Sequence, residues 1–184
     1  MSTEALDAAW VRTWAADLTA RVDAVLAAFD TYYPFPPGRN EVVPAGPGRD
    51  GSPAHAVLPG DLPTFYGVID EVVLSDIGNA FFIHPAGGVL GDRVELGAEG
   101  DVVGDGSGEG FGDGLGEGFG DGFVFASDGG GILYATGPDG GVYRSRTAST
   151  DSEFDLVADD LRGFLERLAN AVAEFAATRT ATAL

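Results

Sequence analysis

Apolar residues Trp10, Val11, Trp14, Leu18, Val22, Val25, Leu26 and Phe29 recur at steps of three and four, while Arg12, Asp17, Arg21 and Asp23 fall largely on the other side. That spacing puts the apolar set on one face of a helix. The helix is expected to run to Tyr32-Tyr33-Pro34, where proline removes a donor and clashes with the preceding turn. Trp10 and Trp14, one turn apart, are expected to pack onto a sheet rather than to form a binding face. A second stripe appears near the other end, where Leu161, Phe164, Leu165, Leu168, Val172 and Phe175 line one helical face behind Asp159 as N-cap. Beyond Thr178 the tail, residues 179–184, lacks such a stripe and is expected to fray.

Between these helices the periodicity shortens. Val68 to Leu74 and Ala80 to His84 are short β-rich runs separated by Gly78-Asn79, residue types that tolerate positive φ. Phe123-Val124-Phe125-Ala126-Ser127, Ile132-Leu133-Tyr134-Ala135-Thr136 and Val142-Tyr143-Arg144-Ser145-Arg146 predict three successive strands. Their connections, Asp128-Gly129-Gly130-Gly131 and Gly137-Pro138-Asp139-Gly140-Gly141, carry hairpin chemistry. Phe154-Asp155-Leu156-Val157 is expected to add an edge strand, and residues 58–66 a short helix with proline early in its first turn. The pattern predicts an α+β fold, a mainly antiparallel sheet with an N-terminal and a C-terminal helix packed on it. A single domain is expected over residues 1–178.

Two stretches break the pattern. Residues 34–57 hold six prolines and four glycines and are expected to be an irregular loop. Residues 95–122 hold 12 glycines and eight acids among 28 positions, with no base. Within them Gly108-Glu109-Gly110-Phe111-Gly112-Asp113-Gly114-Leu115 recurs as Gly116-Glu117-Gly118-Phe119-Gly120-Asp121-Gly122-Phe123, a period of eight. A calcium-binding β-roll needs a nine-residue period and several stacked copies, so a Gly- and acid-rich insertion is the expectation.

Charge changes the picture of what the chain can meet. The 29 acids outnumber the ten bases, all Arg, for a net charge of −19. Such a surface repels nucleic acid and anionic membranes and draws in a basic protein. The absence of Lys alongside abundant Ala and Gly reads as the codon bias of a GC-rich genome. With no Cys, disulfides, thiolate nucleophiles and Cys-ligated metals are excluded. The acidic N-terminal stretch, Ser2-Thr3-Glu4-Ala5-Leu6-Asp7, is unlike a signal peptide, and a cytoplasmic location is expected.

Only His55 and His84 could act as a base near neutral pH. No nucleophile elbow, HExxH, Walker loop or dinucleotide fingerprint occurs. The acid pairs Asp70-Glu71 and Asp159-Asp160 could do proton-transfer work, but 29 acids produce adjacent pairs by chance. The chain is therefore expected to be non-catalytic, without cofactor or metal.

Leu58-Pro59 to Phe65-Tyr66, Asp70-Glu71-Val72-Val73-Leu74 and Asn79-Ala80-Phe81-Phe82-Ile83 resemble the first half of the SUKH superfamily. Residues 123–131, Tyr134-Ala135 and Gly141-Val142-Tyr143 resemble its second half, and residues 157–165 its closing helix. The resemblance spans about residues 58–170. The family usually has Asn-Gly where this chain has Asn79-Ala80, and the Gly-rich stretch sits as an insertion between the halves. The resemblance implies an α+β fold and, in bacteria, an immunity protein that neutralises a toxin domain encoded nearby, often a nuclease. Asp70, Glu71 and Asp76, at the sheet's first turn, are then the candidate partner-binding residues. Two other readings stay open: a calcium- or ligand-binding protein built on residues 95–122, and an enzyme using a carboxylate pair.

Overall fold

A computed structural model describes residues 6–46, 58–89, 93–96, 121–181 and 184. The first amphipathic pattern forms α1 (Ala8–Leu26), capped by Asp7, whose side chain accepts hydrogen bonds from the amides of Ala9 and Trp10. Two of the four orphan N–H groups of the first turn are thereby satisfied. The helix ends sooner than the periodicity predicts. A tight turn at Ala27 and Ala28 re-aims the chain into a single further turn, α2 (Phe29–Tyr32), which buries Phe29. Tyr33 is extended (φ −127°, ψ 135°), the conformation imposed on a residue before proline.

The chain then enters β1 (Asn40–Pro44), a strand inside the stretch expected to be irregular. It is an edge strand, and its proline sits at a register shift, where a missing N–H interrupts no ladder. Proline density therefore marked the ends of this strand rather than its absence. After α3 (Leu62–Tyr66), with Pro63 in its first turn, come β2 (Ile69–Leu74) and β3 (Phe81–Ile83). A turn of helix, α4 (Ala86–Val89), and a three-residue strand, β4 (Arg93–Glu95), follow. Neither carries a periodicity long enough to predict. β5 (Asp121–Asp128), β6 (Leu133–Thr136), β7 (Val142–Ser145) and β8 (Phe154–Ala158) form the expected meander, and α5 (Leu161–Thr178) closes the fold. Its N-cap is Asp160, not Asp159: Asp160 accepts from the Gly163 amide at 2.7 Å.

Among the described residues the sheet has eight strands in the order β1-β2-β3-β5-β6-β7-β8, every pairing antiparallel, with β4 also on β5. The protein is α+β, as the pattern predicts. Directly opposed residues share a face. Val72, Ile83, Ala126 and Tyr134 form one row beneath the helices, and all are buried. Over them lie α1 and α5, whose stripes join in one core with Phe164 stacked edgewise on Phe125 at 5.3 Å. Trp14 is buried, but its contacts are with helices rather than the sheet. It stands edgewise to Phe65 at 6.1 Å and donates its indole N–H to the Leu165 carbonyl at 2.9 Å, tying α1 to α5, while Trp10 is only partly buried. A smaller cluster on the opposite face gathers Val94, Leu96, Val124, Ala135, Tyr143 and Phe154. The tail expected to fray is tied down at its first residue. Arg179 ends α5 in the left-handed region (φ 59°) and lays its guanidinium 4.7 Å over the Tyr32 ring.

Candidate functional site

Glu71 and Asp76 both hold the segment that leads into β1, Glu71 through Arg39 and Asp76 through Gly38 and Asn40; Asp70 is placed differently. The register pairs Val43 with Glu71 and then Pro44 with Ile69, which leaves Asp70 as the extra residue of a bulge. Asp70 is instead close to Tyr66, whose hydroxyl donates to the His84 carbonyl at 2.6 Å. Burial pushes the Tyr66 hydroxyl far above its ordinary pKa, and the Asp70 carboxylate adds to that shift.

Glu71 shares the guanidinium of Arg39 with Glu41. These two hydrogen bonds, Glu41 first, hold Arg39 above its ordinary pKa. Arg39 and Glu41 lie at the surface and Glu71 is partly buried beside them; the exposed Arg39–Glu41 pair contributes little to stability, as is general for such pairs. Asp76 has a structural task. Its carboxylate accepts from the Gly38 amide at 2.7 Å and the Asn40 side-chain amide at 2.6 Å, while Asn40 Oδ1 accepts from the Asp76 amide at 3.0 Å. This reciprocal pair fastens the chain before β1 to the turn after β2. Arg39, Asn40 and Glu41 were not among the residues singled out from sequence. The only signal for them was Asn40-Glu41-Val42-Val43, a short strand-like run hidden among prolines.

The two halves of the resemblance meet at a second cluster. Asp128, buried at the end of β5, accepts from the Asn79 side-chain amide at 2.9 Å and from the Gly130 and Ile132 amides at 2.8 and 3.0 Å. The Gly129 amide donates to the Asn79 carbonyl at 2.8 Å. A Cβ on Gly129 would stand 2.5 Å from that carbonyl oxygen, so only glycine fits here. Ala80 has φ 58°, a conformation that strains an alanine.

Of the other candidates, His84 is half-buried, and its amide donates to the Phe125 carbonyl at 2.8 Å. The carboxylate pair at 159–160 contains the α5 cap. His55 and residues 97–120, the core of the calcium alternative, lie outside the described residues. Among the described residues, no group of three or more His, Asp or Glu side chains is placed to hold a metal. No described helix is long and apolar enough to cross a membrane. Comparison with family models, curated proteins and solved structures returns no match.

Proposed function

We propose that this chain is a non-catalytic immunity protein that masks the working surface of a basic toxin domain encoded beside it, a nuclease being the best-suited kind. The observation that carries this reading is the acid excess, −19 over 184 residues, with acids set around Arg39 at the β1–β2 end. A nuclease must expose cations to grip phosphates, and an acidic protein complements that groove without competing chemistry. The Asn79–Asp128–Gly129 cluster supports the resemblance behind the immunity role, because it gives the short motifs of both halves a shared structural purpose. A cytoplasmic location follows from that role, since a cell protects itself where its nucleic acid is.

Inhibition of the neighbouring toxin domain is the direct test. An equimolar amount of this chain is expected to suppress that domain's activity, and replacing Asp70 and Glu71 by Arg is expected to weaken suppression by tenfold or more, about 1.4 kcal/mol. Asp76 is left intact because it holds Gly38 and Asn40. Full toxin activity in the presence of excess native chain would contradict the immunity role.

A further inference from the structure

Among the described residues three large apolar side chains are exposed, and two of them, Tyr32 (57%) and Phe35 (54%), are three positions apart. Tyr32 precedes and Phe35 belongs to the run Pro34-Phe35-Pro36-Pro37-Gly38, which is exposed at every position and joins α2 to β1. This strap is tied down at both ends. At one end the Phe35 ring meets Phe29 at 6.0 Å and Tyr33 at 5.7 Å, and Phe29 is rooted in the core. At the other the Gly38 amide is held by Asp76, and Arg39 by Glu41 and Glu71. Three prolines fix φ and carry no N–H, so little freedom remains to be lost on binding. The Tyr32 ring already has Arg179 over one face, whereas Phe35 leaves half its surface open to water.

We infer that Phe35 is the anchor by which this chain docks, inserting into an apolar pocket of a partner protein whose rim carries Lys and Arg. This rests on the reading that the chain binds a basic protein. The charge argument for the rim is local as well as global: Glu41, Glu71 and Asp76 stand beside the strap with Arg39 as the cation among them. Aromatic side chains held rigidly at the centre of a docking face carry most binding energy, while rim charges set encounter and register. The third exposed residue, Leu156 (54%), lies on edge strand β8 opposite Tyr143, and leucine is under-represented among such anchors. It serves as the control.

The experiment measures dissociation constants of the full chain for the toxin domain encoded beside it, using native protein, Phe35→Ala, Phe35→Leu and Leu156→Ala. Phe35→Ala is expected to weaken binding about 30-fold, mainly through faster dissociation. Phe35→Leu should fall between Phe35→Ala and native, and Leu156→Ala should stay within about twofold of native. A thermal melt of each variant comes first; should Phe35→Ala lose its fold, Phe35→Leu with about a fivefold loss carries the test. Tight native binding that both Phe35 variants retain would place the anchor elsewhere and overturn this inference alone. Failure of the native chain to bind would overturn the partner reading, and this inference with it.

Discussion

Leu165→Ala is expected to destabilise the fold by about 2–5 kcal/mol, the range for removing a fully buried leucine where the surroundings cannot close the gap. Leu165 has no exposed surface and sits in the second turn of α5. Its neighbour in the stripe, Phe164, packs against the rings of Phe125 and Tyr134 from β5 and β6, in the same core cluster as Leu168 and the buried face of α1. The Trp14 indole bonds the backbone carbonyl of residue 165, not its side chain, so that bond holds the helices apart at their present spacing when the leucine is truncated. A cavity, rather than a collapsed interface, is the expected result. Chemical denaturation should show a lower midpoint with an unchanged slope. Leu156→Ala, on the exposed edge, should stay within about 0.5 kcal/mol of the native chain. Equal stabilities for the two variants would mean that α5 does not close the core.

Asp128→Ala is the second large effect, expected to cost about 3 kcal/mol. Three donors lose a charged acceptor: the Asn79 side chain and the amides of Gly130 and Ile132. Hydrogen bonds to a charged group each contribute roughly 1.5–3 kcal/mol, but water can reach Gly130 and Asn79 and limits the loss. Asp128→Asn separates the parts. Its remaining oxygen can still accept from the two amides, while its NH2 faces the NH2 of Asn79 until that amide flips. About half the loss is expected for Asn, and the comparison is made by the same denaturation measurement. A stability within about 0.5 kcal/mol of native for Asp128→Ala would show that the two halves of the chain are held by other contacts.

How far the sequence could be read depended on the length of each pattern. The stripes of α1 and α5 and the hairpins around Asp128 and Pro138 were legible because several turns of apolar spacing, or turn residues of narrow conformational range, repeat the same message. β1 and β4 were not. A strand of three to five residues with one partner is specified by its neighbour's register, which local spacing does not contain. The end of α1 was misjudged for a related reason: helix-forming residues continue to Tyr32, but the turn at Ala27 and Ala28 is set by burial of Phe29. At the β1–β2 end of the sheet, Glu71 and Asp76 were within reach from sequence because one lies in a predicted β-rich run and the other in the turn that follows it. Arg39 and Asn40, which bond them, lie more than 30 positions away in a proline-rich stretch. Such a pairing is a product of the β1–β2 register and has no local signature.

Association kinetics across a salt series address the central claim, that negative charge directs this chain onto a basic protein. The Debye length falls from about 10 Å at 0.1 M salt to about 3 Å at 1 M, which removes long-range attraction and leaves close contacts largely intact. With the proposed toxin partner on a surface, the association rate is predicted to fall by at least tenfold over that range, while the dissociation rate changes much less. An association rate that does not change with salt would contradict the electrostatic account.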